Sequence, residues 1–265
     1  MAVTFPDESS EYRTSRDALL KREVALRREL ESIAAERRAL PPGPVVSDDY
    51  LFDAWDHGGK FIKVRLSDLF RDGSDTLLLY HYMFPRNSKD DRPKLRGSAS
   101  LPLERGPCPS CTSLIDQWEC VIPYLEGADV SFAAITKAPI DQVQAFARDR
   151  GWRNVTLVSA AHNSFKRDFH GESEDGEQQP IMTVFHGERG GTIRMSWASE
   201  LLYEPLMEPD QDPRHLGTFE PLWAFFDLTP QGRPKTYDLR DHAHRNAGKA
   251  APARTAAKAK AVPTA

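Results

Sequence analysis

A nine-residue apolar run, TLLLYHYMF from Thr76 to Phe84, sets narrow bounds on the fold of this chain. It is apolar almost throughout, as expected for a central β-strand that is covered on both faces. Further apolar runs follow at Asp129 to Thr136 and at Val155 to Ala160. Between them, Ile140 to Arg150 has the spacing of an amphipathic helix, and Gly151 closes it. This alternation predicts an α/β domain in which a central mixed sheet is flanked by helices.

The later part of the domain predicts a β-hairpin. Ile181 to Phe185 and Thr192 to Trp197 are extended, β-rich runs on either side of a glycine-containing turn at residues 188–191. An acidic, polar stretch from Glu172 to Gln179 precedes the hairpin as a loop, and an apolar segment from Trp223 to Thr229 follows it.

The N-terminal region predicts one amphipathic helix from Asp17 to Leu40, since this stretch contains neither Gly nor Pro. Apolar side chains recur there every seven residues, at Leu19, Leu26, Ile33 and Leu40. The prolines that follow end the helix, and the residues before Asp17 are expected to fray. Glu23 and Arg37 are charged, and they occupy the core positions between these apolar residues, which argues against a self-sufficient coiled coil. The helix either packs across its own domain or serves as the arm of a homodimer.

Composition divides the chain into three parts: an N-terminal helical extension at residues 1–44, the α/β domain at 45–240, and a tail at 241–265. The tail is rich in Ala, Lys, Arg, Pro and Thr without periodicity, so we expect it to be disordered. It carries five Lys/Arg and no acidic residue from His242 onward, while the whole chain has a net charge of −4. The domain itself is therefore acidic, which argues against specific nucleic-acid binding.

The sequence also bounds the compartment. No uncharged apolar run approaches the roughly 20 residues that a membrane helix needs, and the opening MAVTFPDESS lacks the pattern of a secretory signal. Three cysteines in 265 residues are too few for a disulfide-stapled scaffold. We expect a cytoplasmic protein with no membrane partner.

Two of these cysteines share one tetrapeptide, Cys108-Pro109-Ser110-Cys111. A strand leads to this motif, and a helix is predicted to begin at it, with Cys108 as the N-cap and Pro109 in the first helical position. Backbone N–H groups and the helix dipole would stabilise a thiolate on Cys108, and Cys111 lies one turn along, near enough to form a disulfide. The motif therefore predicts a redox dithiol in which Cys108 attacks and Cys111 resolves the mixed disulfide. This chemistry requires no metal and no organic cofactor.

Further residues are candidates for tuning the dithiol or for binding substrate. Alternation along the preceding strand sets His81 on the opposite face from Tyr82, and His81 either tunes the thiolate or is a hydrogen-bonded core residue. Pro180 precedes a predicted strand, where a cis-proline facing the dithiol and an ordinary trans-proline both fit. Pro109 and Ser110 are expected to influence the reduction potential because they separate the cysteines.

Other interpretations of the cysteines stay open. C-x-x-C is half of a zinc site, but a structural zinc ion takes about four ligands, and only Cys120 with the distant His162 or His170 would complete the set. Cys120 itself is expected on the helix of the motif as a buried packing residue. The chain could instead be a non-catalytic binding module, a zinc-stabilised interaction protein or a thiol peroxidase.

Several segments, in order along the chain, carry a resemblance to a known family. They are RRALPP (Arg37 to Pro42), LFDAWDHGGK with VRLSDLF (Leu51 to Phe70), LLLYHYMF (Leu77 to Phe84), CPSC, ITKAPIDQVQAFARDRGW (Ile135 to Trp152), SFKRDFH (Ser164 to His170), MTVFHGERG (Met182 to Gly190) and FFDLTPQGRP (Phe225 to Pro234). With CPSC following YHYMF, the chain resembles the bacterial DUF899 family, whose members are described as thioredoxin-like and as predicted dithiol–disulfide oxidoreductases.

The resemblance implies a thioredoxin-like domain at residues 45–240 with its dithiol at Cys108 and Cys111. Its partners would be a disulfide-containing protein or a small thiol or disulfide substrate, together with an unknown reductant. The segment from Pro85 to Pro107 is longer than the connection in the family pattern, so we expect it to reposition the motif or to cover it as a lid. The tail at 241–265 has no counterpart in that pattern.

Overall fold

A computed structural model describes residues 3–56, 58–95, 101–187, 191–201 and 219–233. The chain divides into two compact units, Met1–Gly43 and Pro44–Ala265. The tail predicted at 241–265 and residues 188–190 of the turn predicted at 188–191 lie outside the described residues.

The first unit is built on one helix, α1 (Ser10–Arg38). It begins earlier than expected because the hydroxyl of Ser9 accepts a hydrogen bond from the backbone N–H of Tyr12 (3.0 Å), which satisfies a donor of the first turn. The residues just before Asp17 are therefore helical, and the prediction that they fray is wrong. No residue of α1 is buried, and the leucines of its stripe are exposed.

The second unit contains a seven-stranded sheet with the order β2-β1-β5-β4-β3-β6-β7. Its strands are β1 (Leu51–Trp55), β2 (Phe61–Arg65), β3 (Thr76–His81), β4 (Val130–Thr136), β5 (Thr156–Ser159), β6 (Met182–His186) and β7 (Arg194–Ala198). Its helices are α2 (Pro109–Trp118), α3 (Ile122–Glu126), α4 (Ile140–Arg150), α5 (Phe165–Asp168) and α6 (Pro221–Asp227). Among the described helices of both units, none is long and apolar enough to cross a membrane.

The middle of the sheet combines two motifs. Strands β3, β4 and β5 run parallel, with α2 and α4 in the connections between them. Strand β6 lies antiparallel beside β3, β7 lies antiparallel beside β6, and α6 follows in the chain. A β-α-β unit joined in this way to a β-β-α unit is the thioredoxin-like arrangement. The predicted fold class, a mixed sheet flanked by helices, is therefore confirmed.

Strand β3 is covered on both faces, as its apolar sequence predicts. One face carries Tyr80, which belongs to a core cluster with Cys108 and Cys111. The other face carries Leu77 and Leu79, which belong to a second cluster. Because side chains alternate along a strand, the sheet separates the cysteines from the side chains packed beneath Leu79.

The elements with strong local signals lie where the sequence predicts them. Helix α4 has the predicted bounds, and Gly151 ends it in a left-handed conformation with φ of 79°, which favours glycine. Strands β4 and β5 lie within the predicted runs, and β6 pairs with β7 as the predicted hairpin.

The helix that was predicted to begin at the motif and to include Cys120 is in fact interrupted, and two helices occupy this part of the chain. Helix α2 ends at Trp118, and α3 begins at Ile122. Pro123 therefore lies in the first turn of α3, where proline is tolerated, and not in the interior of one long helix, where it is not. Cys120 lies between the two helices and is exposed. The prediction that Cys120 is a buried packing residue is therefore wrong.

The hairpin β1–β2 extends the sheet beside β5 and was missed in the sequence. Its turn is closed by the carboxylate of Asp56, which accepts from the backbone N–H of Lys60 (2.8 Å), and by Gly59 with φ of 78°. The β2 side chains alternate between exposed and half-buried. Such an edge strand lacks the continuous apolar run that identifies β3 and β4.

Candidate active site

The dithiol lies at the start of α2, the helix between β3 and β4. Cys108 is the N-cap of this helix in an extended conformation, and Pro109 is its first residue, as predicted. The backbone N–H of Cys108 donates to the carbonyl of Met83 (2.9 Å), which ties the motif to the chain leaving β3. The carbonyl of Cys108 accepts from the backbone N–H (3.0 Å) and the hydroxyl (2.8 Å) of Thr112. The backbone of Cys108 is therefore fixed through its N–H group and through its carbonyl group.

The two thiols of the motif are chemically unequal. Both cysteines are free and buried. A hydrogen bond from the Cys111 side chain lowers the pKa of Cys108 to about 7 against the opposing effect of burial, and the Cys111 backbone N–H and the charge of Arg92 act in the same direction. Burial, together with the neighbouring Cys108, raises the pKa of Cys111 well above its ordinary value. Cys108 is thus the thiol that ionises first and is partly thiolate near neutral pH, whereas Cys111 keeps its proton.

Two tyrosines of the chain around β3 enclose the dithiol from the sheet side. The Tyr80 side chain is fully buried, and burial together with the neighbouring Cys111 thiol raises the pKa of Tyr80 well above its ordinary value. The Tyr82 hydroxyl shares a hydrogen bond with that of Thr112 in α2 (2.7 Å). These contacts fix the first turn of α2 on the sheet.

Arg92, in the segment between β3 and the motif, lies next to the Cys108 thiol. The Nη2 atom of Arg92 lies 3.4 Å from the Cys108 Sγ, and its Nη1 donates to the hydroxyl of Ser110 (2.7 Å). Sequence reasoning identified the unusual length of the segment but not Arg92, because nothing in the local pattern distinguishes this arginine from its neighbours.

A buried lysine contacts the chain that leaves β3. Lys166, on α5, is fully buried and its Nζ donates to the backbone carbonyl of Tyr82 (3.1 Å). Burial lowers the pKa of Lys166 to about 7, while Cys111 and Glu172 oppose this shift electrostatically. Glu172 itself pairs with Lys137 (2.9 Å). The segment SFKRDFH around Lys166 carries the family resemblance, but its sequence alone does not indicate that Lys166 is buried.

Of the residues predicted to tune the dithiol or to bind substrate, Ser110 lies next to it and His81 does not. Ser110 lies against Arg92 in the first turn of α2. His81 stacks on Phe165 (5.6 Å between ring centroids) and contacts the Thr183 hydroxyl (3.3 Å), so its contacts lie away from the dithiol. Burial lowers the pKa of His81 well below its ordinary value, which suits a neutral core residue.

Pro180 is buried directly before β6, and its peptide bond is not cis. The cis bond of the described chain joins Phe84 to Pro85, just after β3. The carbonyl of Phe84 accepts from the backbone N–H groups of Lys137 (3.0 Å) and Ala138 (2.7 Å). Of the two alternatives for Pro180, the structure therefore shows the ordinary trans-proline.

No group of three or more His, Cys, Asp or Glu side chains that could hold a metal ion occurs among the described residues. His162, a ligand in the zinc alternative, lies 3.7 Å from the Asp53 carboxylate, and Cys120 lies beyond the end of α2.

Several solved structures resemble this chain at low identity. A peroxidoxin, BcpB, from Mycobacterium tuberculosis is 16% identical, with 60% of this chain and 84% of that chain covered and a TM-score of 0.41. For AhpC of Enterococcus faecalis, the identity is 12%, the coverages are 59% and 78%, and the TM-score is 0.42. A hypothetical protein, SMc02350, from Sinorhizobium meliloti 1021 is 16% identical, with coverages of 61% and 72% and a TM-score of 0.37. Similarity at this level carries no information about the chemistry of this chain.

No curated protein matches the sequence. A family model described as "Bacterial protein of unknown function (DUF899)" matches residues 3–250. This match spans nearly the whole chain and contains the dithiol, Arg92 and Lys166, and the chain belongs to the DUF899 family.

Proposed function

We propose that this protein is a thiol–disulfide oxidoreductase whose dithiol is Cys108 and Cys111. One observation carries the proposal: two free, buried thiols share the first turn of α2, and their pKa values are shifted in opposite directions. A nucleophilic thiol needs a thiolate near neutral pH. A resolving thiol beside it acts only after the first has reacted, so a protonated Cys111 suits that role.

The reaction is a two-electron exchange. The Cys108 thiolate attacks one sulfur of a substrate disulfide, forms a mixed disulfide and expels the other sulfur as a thiolate. Cys111 then loses its proton and attacks the Cys108 Sγ, which releases the second substrate thiol and leaves a Cys108–Cys111 disulfide. An external dithiol restores the reduced pair. The substrate is reduced by two electrons, and the substrate sulfurs take up two protons.

A thiol peroxidase is the second candidate, and the burial of the nucleophile favours it. Cys108 is only 1% exposed, which suits a small oxidant better than a folded protein. A hydroperoxide would transfer an oxygen to the Cys108 thiolate, giving a sulfenic acid and an alcohol or water. Cys111 would then condense with the sulfenic acid to a disulfide and release water.

Turnover with defined oxidants distinguishes the candidates. We would incubate the full chain with an excess of dithiothreitol and either glutathione disulfide or hydrogen peroxide, and follow loss of the oxidant. Dithiothreitol also reduces glutathione disulfide without a catalyst, so the expected result is consumption above that uncatalysed rate, an excess that Cys108→Ser should abolish. In Cys111→Ser incubated with glutathione disulfide alone, a mixed disulfide with glutathione should accumulate on Cys108, as seen by mass spectrometry.

Cys120→Ser is the matched control because Cys120 is exposed and lies outside the motif. Turnover above the uncatalysed rate that survives Cys108→Ser overturns the proposal, and the absence of any turnover above that rate in the parent supports a non-catalytic binding module. Consumption of hydrogen peroxide alone, with sulfenic acid trapped on Cys108, favours the peroxidase.

A reducing compartment such as the cytoplasm belongs to this proposal, since the proposed cycle begins from the dithiol form.

We also propose that α1 pairs two copies of the chain through its exposed leucines. Light scattering of the full chain and of Leu26→Glu tests this pairing. Equal masses for the two proteins would contradict it.

A further inference from the structure

The segment at residues 85–95, here called the proximal segment, is anchored beside the dithiol at several points. The side chain of Arg86 is buried, and it donates to the carbonyls of Arg92 (2.7 Å) and Pro107 (2.9 Å). One arginine thus joins the backbone of the segment to the residue that precedes Cys108. At the far end, Leu95 is buried in the core cluster that contains both cysteines.

A third anchor comes from the loop before β6. The Glu177 carboxylate accepts from the backbone N–H of Ser88 (2.8 Å) and from its hydroxyl. The backbone on both sides of Arg92 is therefore held in place, which restricts where its side chain can reach.

Every nitrogen of the Arg92 guanidinium has a partner. Nε and Nη2 donate to the two carboxylate oxygens of Asp90 (2.8 Å each), the bidentate geometry that orients a guanidinium plane. Nη1 donates to the Ser110 hydroxyl (2.7 Å), and Nη2 also lies 3.4 Å from the Cys108 Sγ. The plane therefore lies across the first turn of α2, with one edge directed at the sulfur.

The two groups in this contact differ in exposure. The Arg92 side chain is 44% exposed, whereas Cys108 is 1% exposed. The guanidinium is therefore the solvent-exposed member of the pair.

We propose that Arg92 is a positioning residue of the active site, which holds the Cys108 sulfur as a thiolate and covers it until a substrate displaces the guanidinium. The proposal rests on the proposed function, since it concerns the same nucleophile. A cation within about 4–6 Å of an acid favours its charged form, typically by 1–3 pKa units. Arg92 contributes in this direction to the lowered pKa of Cys108, whereas the Asp90 carboxylate, which fixes the orientation of the guanidinium, acts in the opposite direction.

The test measures separately the effect of Arg92 on the pKa of Cys108 and its effect on access of a reagent to the sulfur. In Cys111→Ser, which leaves a single reactive thiol in the motif, the pKa of Cys108 is measured by thiolate absorbance against pH. The rate of alkylation by iodoacetamide is measured on the plateau above that pKa. Arg92→Met, Arg92→Lys and Arg105→Met are compared, the last because Arg105 is an exposed arginine closer to Cys108 in sequence.

We expect Arg92→Met to raise the pKa of Cys108 by about one unit or more and to increase the plateau alkylation rate. Arg92→Lys keeps a cation without the bidentate fork, so its pKa should fall between those of the parent and Arg92→Met. Arg105→Met should match the parent in both measurements.

A parental pKa in Arg92→Met, or an equal rise in Arg105→Met, overturns the proposal. Arg92→Lys protects the test against misfolding of Arg92→Met: a pKa in Arg92→Lys as high as that of a free cysteine also overturns it. These titrations use no disulfide substrate, so their failure is distinct from failure of the proposed exchange reaction.

Discussion

Gly171 lies directly against the imidazole of His81: a Cβ atom built at 171 would stand 2.7 Å from the His81 Cγ and closer still to Nδ1. His81 is fully buried and stacked on Phe165, so the ring has little room to move. The loop before β6 therefore packs on β3 through a glycine because no larger residue fits there.

Gly171→Ala should destabilise the protein by about 1–3 kcal/mol, the usual cost of forcing a methyl group into a packed core. Chemical denaturation monitored by tryptophan fluorescence measures this change. In a His81→Ala background the ring is absent, and the additional cost of Gly171→Ala should shrink. An undiminished cost in that background would show that the clash with His81 is not its cause.

Lys166→Met should change how stability depends on pH. The pKa of Lys166 is lowered from 10.5 to about 7 in the folded protein, so between these values the unfolded chain binds more protons and stability rises with pH. The penalty for burying the charge is complete below pH 7 and disappears above about 10.5. Lys166→Met should therefore be more stable than the parent at pH 6. Between pH 7 and about 10.5, the free energy of unfolding of the parent should rise relative to that of Lys166→Met by up to about 1.4 kcal/mol per pH unit.

Urea unfolding at a series of pH values measures this difference, and Lys60→Met, at an exposed position, is the control. Parallel pH profiles for Lys166→Met and the parent would contradict the prediction. At high pH, Lys166→Met should be the less stable protein by about 1 kcal/mol, since it lacks the hydrogen bond to the Tyr82 carbonyl.

Sequence patterns predict the parts of this site that depend on near neighbours. Cys108 caps α2 because Pro109 follows it, and Gly151 ends α4 because it accepts a positive φ. The contacts of Arg92 with Cys108 and of Lys166 with the Tyr82 carbonyl were not predicted, because tertiary packing brings these residues together from distant positions. Their backbones are placed by contacts such as the one between Ser88 and Glu177, and no local rule encodes these.

Asp116→Ala should be strongly destabilising because it removes a carboxylate that joins α2 to the end of α4. Asp116 accepts hydrogen bonds from Trp152 Nε1 (2.7 Å) and from the guanidinium of buried Arg150. Breaking a buried pair by removing one partner costs about 3–5 kcal/mol. Arg65→Ala removes an exposed partner of Asp49 (3.6 Å) and should cost under about 1 kcal/mol. Similar unfolding midpoints in urea for the two variants would refute the distinction.

Cys111→Ala should raise the pKa of Cys108, whereas Cys111→Ser should raise it less. The hydrogen bond from the Cys111 side chain is the largest cause of the lowered pKa of Cys108, which is about 7. Alanine cannot donate such a bond, while a serine hydroxyl can. Thiolate absorbance against pH measures both variants, with Cys120→Ala as the control for the third cysteine. At pH 7, Cys111→Ala should hold less thiolate and react more slowly with iodoacetamide than Cys111→Ser. Equal pKa values in the two variants would mean that the helix terminus and Arg92 suffice to stabilise the thiolate without a donor at position 111.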